Sequence, residues 1–256
     1  PEYRVDSQTE GALAFLDRQD GEQPFFLYLA YYAPHVPLDA IEEDLALFDE
    51  ALPERRRYGL AMIHSIDRGL GRIREKLEEK GWENDTLIVF SSDNGAPLLS
   101  HMDNADTIEG NGWDGSLNTP LTGEKGMLAE GGIRVPFVVA LPGTIPGGRV
   151  DPTPVSALDL APTFLSAAGA EAMPANFEGE SLWPVLTGDG LAERPLFWRF
   201  WGQSAVRRGD WKLLLAGEHE WLFNLVNDPG ETTDLSGEYP EKVQELKRLL
   251  AEWEKN

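Results

Sequence analysis

Thr86-Leu87-Ile88-Val89-Phe90-Ser91-Ser92-Asp93-Asn94-Gly95 is the stretch on which the fold turns. A continuous apolar, β-branched run has the form of a buried strand. Here it ends in polar side chains and a glycine. In open α/β sheets, ligands collect at the carboxyl ends of strands. A carboxylate beside a carboxamide offers two oxygen donors, which suit a hard cation such as calcium or magnesium. The other reading of Asp93-Asn94-Gly95 is an Asx-type turn, and residue types alone favour it.

Upstream of this stretch, residues 53–80 predict the strongest helix of the chain. Ile63, Ile66, Leu70, Ile73 and Leu77 recur at three and four residues, which is one helical face. Arg68 and Arg72 fall off that stripe, and Gly81 supplies a stop. Residues 25–32 form another apolar, aromatic-rich run, predicted as a strand buried on both faces. Ala33-Pro34-His35-Val36-Pro37 ends it, because proline cannot donate to a ladder. Residues 7–20 predict a short helix with Ser7 as its cap and Leu13 and Leu16 on one side.

Downstream, residues 95–132 are rich in Gly and Asn and lack periodicity. A loop that long in a compact domain is usually functional or disordered. Residues 135–141 predict a third apolar strand, and 158–168 a helix with Pro162 in its first turn. After Gly188 the runs 196–201, 204–208, 211–215 and 221–225 alternate with glycine-bearing turns, which predicts an antiparallel meander. Residues 239–254 predict an amphipathic closing helix with Val243, Leu246, Leu249, Leu250 and Trp253 inward. We therefore expect an α/β part over residues 1–190 and a small β-sheet-plus-helix part over 191–256.

The 256 residues carry 22 Lys+Arg against 44 Asp+Glu, a net charge of −22. Nucleic acids and anionic membrane surfaces both need a basic face, so neither is expected as a partner. No run approaches the ~18 apolar residues of a membrane span. With 0 Cys there is no disulfide framework, no thiolate nucleophile and no Cys-based zinc site. Pro1-Glu2-Tyr3-Arg4 is polar and no apolar segment follows it, so no signal peptide is expected within the chain.

Two further clusters can carry chemistry. His35 directly follows a strand-like run between two prolines, which suits a proton donor or an anion ligand as well as a plain loop histidine. Gly123-Glu124-Lys125-Gly126 and Glu130-Gly131-Gly132-Ile133-Arg134-Val135-Pro136 combine close-approach glycines with Lys125, a compact cation suited to an oxyanion. A surface lysine on a turn is the alternative. His64 reads as structural and His219 as solvated. In the long loop, His101, Asn104 and Trp113 are substrate-side candidates, with Arg134 beside them. Trp113 fits either ring stacking or buried packing.

Together these clusters resemble the sulfatase family, of the formylglycine-dependent, alkaline-phosphatase-like type. The resemblance rests on Pro34-His35-Val36-Pro37, on Ser92-Asp93-Asn94-Gly95, and on the elements at 123–126 and 130–136. Leu158-Asp159-Leu160-Ala161-Pro162-Thr163 and the tail Leu222-Phe223-Asn224-Leu225 … Asp228-Pro229-Gly230-Glu231 … Asp234-Leu235 add to it. It implies an α/β fold with a mixed sheet flanked by helices, followed by a small antiparallel sheet with a closing helix. It also implies a sulfuric ester hydrolase in which calcium holds sulfate oxygens and a hydrated formylglycine attacks sulfur. Asp93 and Asn94 would then be calcium ligands. Lys125 would contact the sulfate and the leaving-group oxygen, and His35 the sulfate or the leaving group.

The family's Cys/Ser-x-Pro-x-Arg motif does not occur in the chain, nor do its paired aspartates or its N-terminal Lys/His pair. The expectation is therefore the C-terminal portion of a periplasmic or secreted sulfatase. Its substrate is a small aryl or carbohydrate sulfate. Its N-terminal portion, in the same or another chain, supplies the formylglycine. Two alternatives stay open: a phosphate or phosphonate ester hydrolase of the same superfamily, and a non-catalytic relic that binds glycans or a partner.

Overall fold

A computed structural model of the chain describes residues 2–98, 115–170, 174 and 176–255. His101, Asn104 and Trp113 lie outside the described residues. The chain divides into two compact units, residues 1–86 with 96–117, and residues 87–95 with 118–256.

The first unit is helical. Helices α1 (Arg4–Asp17), α2 (Glu42–Leu45) and α3 (Glu54–Glu79) are its regular elements. Helix α1 begins at Arg4, ahead of the expected cap, and the Ser7 hydroxyl instead donates back to the Tyr3 carbonyl at 3.2 Å. The buried stripe of α3 runs through Met62, Ile66, Gly69, Ile73 and Leu77, while Ile63 is exposed. Gly69 lies against the Thr9 side chain of α1, so the two helices approach closely there. Arg68 pairs with Asp6 at 2.9 Å, Arg72 with Glu10 at 2.6 Å and Lys76 with Asp17 at 3.4 Å, strapping α1 to α3 along their length. Val5, Ala33, Leu38, Met62 and Ile66 form the core beneath.

Residues 25–32 correct the expectation of a doubly buried strand. They are extended, but no ladder forms among the described residues, and burial alternates, with Phe26 69% and Tyr28 82% exposed. A strand is buried on both faces only when neighbours flank it and layers cover it. Here the Gln8 carboxamide stands in for a neighbouring strand. It donates to the Ala30 carbonyl at 2.6 Å and accepts from the Tyr32 amide at 3.1 Å.

In the second unit, β1 (Ile88–Ser91) pairs antiparallel with β2 (Phe137–Ala140), and the short helix α4 (Glu130–Ile133) precedes β2. These strands are also less buried than their apolar sequences predict, since Phe90 and Val138 are exposed. The same absence of a covering layer among the described residues accounts for it. Helices α5 (Leu160–Ala167) and α6 (Trp183–Thr187) follow. The Ser156/Asp159 capping box starts the turn that leads into α5.

Strands β3 (Pro195–Phe200), β4 (Gln203–Arg208), β5 (Trp211–Ala216) and β6 (His219–Asn224) form the predicted meander in the order 3-4-5-6. Helix α7 (Pro240–Trp253) closes it. Val206, Leu213 and Leu222 are opposite one another in register and pack on Val243, Leu246 and Leu250 of the helix. Because side chains alternate along a strand, Arg207, Lys212 and Phe223 share the other face. That second face is also covered: Lys212 is 0% exposed.

Candidate active site

The segments 93–95, 123–126 and 130–134 meet at the ends of β1 and β2. The Ser92 amide donates to the Pro136 carbonyl at 3.3 Å, and the Gly95 amide to the Gly132 carbonyl at 3.0 Å. A side chain on Gly95 would run into the Gly131 carbonyl, so only glycine permits this approach. The Gly131 amide in turn donates to the Thr122 carbonyl at 2.7 Å, and Asn118 Nδ2 to the Gly123 carbonyl at 2.9 Å. Gly126, at φ 89, turns the chain immediately after Lys125.

Lys125 is exposed and makes no hydrogen bond or ion pair among the described residues, so its ammonium is available to an anion. Asp93 is likewise exposed. Asn94 Nδ2 donates to the Gly95 carbonyl at 3.0 Å, which leaves the carboxamide oxygen as the group for a ligand. Two adjacent oxygen donors on a rigid turn fit a hard cation in chemistry. Calcium takes about six to eight donors, and no group of 3 or more His, Cys, Asp or Glu side chains suited to a metal occurs among the described residues. These two donors alone fall well short of such a shell.

His35 belongs to the first unit. Its amide donates to the Tyr32 carbonyl at 3.1 Å, its ring lies 5.4 Å from the Tyr32 ring, and Nδ1 is 2.7 Å from the Val36 carbonyl. A carbonyl only accepts, so Nδ1 carries a hydrogen and Nε2 is the atom free to exchange a proton. His64, as expected, is structural, 3.6 Å from buried Asp44. His219 stacks on Trp221 at 5.6 Å.

A buried triad that sequence reasoning missed holds Glu130, the first residue of α4. Lys212 Nζ lies 2.8 Å from Glu130 Oε1 and 2.8 Å from Glu231 Oε1. Glu231 Oε2 accepts from the Glu130 amide at 2.6 Å. The Lys212–Glu231 contact is an ion pair off hydrogen-bond geometry, since Glu231 Oε1 has no hydrogen-bond partner. Burial raises the Glu231 carboxyl above its ordinary range, against the pull of Lys212. The signal in the sequence was a lysine inside the apolar strand Trp211-Lys212-Leu213-Leu214-Leu215. Burial also pulls the Arg207 guanidinium below its ordinary value, with nearby Glu130 opposing and Arg134 adding to the effect. Arg134 is half-exposed and 3.8 Å from Glu130.

Glu231 is delivered by the turn at 228–233. Burial alone would raise Asp228, but the Thr233 and Thr232 amides and the Thr232 hydroxyl, at 2.8–3.0 Å, hold its carboxyl below the usual range. Asp234 is lowered in the same way, against burial, by Ser236 and Leu222. A carboxyl lowered on folding adds stability above the ordinary Asp range and loses it as pH falls through the lowered value. Unfolding free energy should therefore drop below about pH 4, and the drop should be shallower in Asp228→Asn. Urea titrations at a series of pH values check this, and equal slopes for both proteins would contradict it.

Residues 2–170 match the family model described as Sulfatase, and residues 123–256 match N-sulphoglucosamine sulphohydrolase, C-terminal. Arylsulfatase J of Mus musculus is 28% identical over 306 residues, covering 99% of this chain and 49% of the relative. N-acetylgalactosamine-6-sulfatase of Canis lupus familiaris is 37% identical over 217 residues, covering 83% of this chain and 37% of the relative. The crystal structure of Ps i-CgsB in complex with k-i-k-neocarrahexaose superimposes with a TM-score of 0.87 at 34% identity, over 98% of this chain and 55% of that one. The chain spans about half the length, or less, of the curated relatives named here.

Proposed function

From the premise that this chain belongs to the sulfatase family, we propose that it is the C-terminal portion of a sulfuric ester hydrolase acting on carbohydrate sulfates. The observation that carries the reading is the meeting of the 93–95, 123–126 and 130–134 segments, with Lys125 exposed on one of them and unpaired among the described residues. The names of the relatives, an N-acetylgalactosamine-6-sulfatase and a protein solved with a neocarrahexaose, support the carbohydrate class. We place the enzyme in the periplasm or outside the cell. No helix among the described residues is long and apolar enough to cross a membrane. Residues 191–256 are proposed as a subdomain.

The reaction consumes one water and cleaves the S–O bond of R–O–SO3⁻, giving R–OH, sulfate and a proton. A formylglycine on a segment outside this chain would supply the nucleophile, and Asp93 and Asn94 would help to hold a calcium ion that would offset charge on the sulfate oxygens. The Lys125 ammonium binds the sulfate and stabilises the charge that develops on the bridging oxygen as the bond breaks. His35, with Nδ1 committed to the Val36 carbonyl, holds the transferable proton on Nε2 and delivers it to the leaving oxygen. Arg134 is a substrate-side cation. Such local cations offset the repulsion between an anionic substrate and a chain of net charge −22.

In the polypeptide that carries the formylglycine, His35→Ala should slow a sugar sulfate, whose alkoxide leaves poorly, by about 10²-fold or more. 4-Nitrophenyl sulfate needs no such proton and should slow far less. Steady-state kinetics on the two esters check this, and equal losses would contradict the acid role.

The chain alone, without Cys or Ser-x-Pro-x-Arg, should turn over no sulfate ester. Tandem mass spectrometry of the polypeptide as made in its source tests the whole reading. A Cys/Ser-x-Pro-x-Arg peptide carrying the aldehyde mass shift is the expected result. A polypeptide of 28.4 kDa with no such peptide would overturn it.

A further inference from the structure

The β3–β4 hairpin ends in a two-residue loop, Trp201-Gly202, closed by the Phe200–Gln203 pair. Trp201 is 90% exposed and sits at φ 51. Two-residue hairpin loops of the primed types need positive φ at their first central position, which Gly, Asn or Asp ordinarily fills. An indole side chain there combines a crowded backbone with a large apolar surface left in water. Neither stabilises the fold, and a bulky residue held so is a pointer to function.

The placement of the hairpin supplies the second observation. Gln203 Nε2 donates to the Gly126 carbonyl at 3.0 Å, and Gln203 Oε1 accepts from the Leu128 amide at 3.1 Å. Phe200 lies against Gly126, the residue after Lys125. Trp201 in turn stacks on Phe200, with ring centroids 5.7 Å apart and planes 16° from parallel. The exposed indole is therefore fixed, through one aromatic neighbour and two hydrogen bonds, to the loop that presents the sulfate-binding lysine.

We propose that Trp201, backed by Phe200, is a stacking platform for a pyranose ring of the sulfated carbohydrate whose sulfate is bound by Lys125. A sugar ring has an apolar face of C–H groups that lies flat on an indole. Such a contact carries no charge. It therefore adds affinity for a polyanionic chain without adding to the repulsion from the acidic surface, and it is insensitive to salt. The inference rests on the sulfatase reading for its ligand class.

The probes are k-i-k-neocarrahexaose, a chondroitin 6-sulfate hexasaccharide, and inorganic sulfate. They are titrated into the full chain while the Trp201 indole N–H resonance, assigned by its loss in Trp201→Ala, is followed by NMR. The expected result is a shift of that resonance with at least one oligosaccharide and none with sulfate alone. Dissociation constants should weaken about tenfold in Trp201→Ala and much less in Trp201→Phe. That ratio should be unchanged between low and high salt, whereas the effect of Lys125→Ala should shrink as salt rises. No response from Trp201 to either oligosaccharide, or equal affinities for the parent and Trp201→Ala, would overturn the proposal. The sulfatase reading fails separately, on the absence of sulfate release by the formylglycine-bearing polypeptide.

Discussion

Lys212→Met should destabilise the chain by about 3–5 kcal/mol. Lys212 is fully buried and lies 2.8 Å from a carboxylate oxygen of each of two buried glutamates, Glu130 and Glu231. Replacing the ammonium by a thioether keeps most of the volume and removes the only cation of the triad. Two buried carboxylates then lose their shared ammonium, and Arg134, 3.8 Å from Glu130, offsets only one of them. One can take up a proton, and burial already pushes Glu231 in that direction, so part of the cost is relieved by protonation. The double variant Lys212→Met/Glu231→Gln should accordingly be more stable than Lys212→Met, because the second change removes the orphaned charge. Urea unfolding of the chain and its variants measures both effects. A loss below about 1 kcal/mol in Lys212→Met would show that the triad does not hold Glu130 as described.

The second large effect is on rate. In the polypeptide that carries the upstream nucleophile, Lys125→Ala should lower kcat on a carbohydrate sulfate by about 10²- to 10³-fold. In the proposed role the ammonium meets charge that appears on the bridging oxygen only as the S–O bond breaks, so the loss should fall on kcat more than on KM. Lys125 is exposed and has no partner among the described residues, so its removal should leave stability unchanged within about 0.5 kcal/mol. Lys125→Arg should recover only part of the rate, since the planar guanidinium cannot place a compact charge at the same point. Circular dichroism melts and steady-state kinetics separate the two readouts. A comparable loss of stability in Lys125→Ala would make its role structural.

How legible these features were depends on the range over which each is determined. The β3–β6 meander and α7 could be read within a few residues because their signals are local. Alternating side chains, glycine turns and an amphipathic period all fall inside one window. The run at 25–32 could not be read correctly, because burial of a strand depends on neighbours distant in the chain. Its apolar composition said strand, and the Gln8 side chain meets its Ala30 carbonyl and Tyr32 amide where a strand neighbour would. Helix α6, five residues long, is too short to show a period.

In the candidate site, Gly95, Lys125 and Gly131 were legible as elements of motifs, and their close approach explains why glycines stand there. The Lys212–Glu130–Glu231 triad was not, because it links positions 82 and 101 residues apart. A lysine in an apolar strand is a signal only once its partners are known. Trp201 is the converse case. Its meaning lies in a backbone angle and an exposure that composition does not reveal.

The most direct test of the central claim is sulfate release from N-acetylgalactosamine-6-sulfate oligosaccharides and from neocarrageenan oligosaccharides. The polypeptide from the natural source would be compared with its Lys125→Ala variant, with matched phosphate esters as controls. Release of sulfate from one of these glycans, lost in Lys125→Ala and far slower on the phosphate ester, is the predicted result. Preferential phosphate ester cleavage, or sulfate release unchanged in Lys125→Ala, would contradict it.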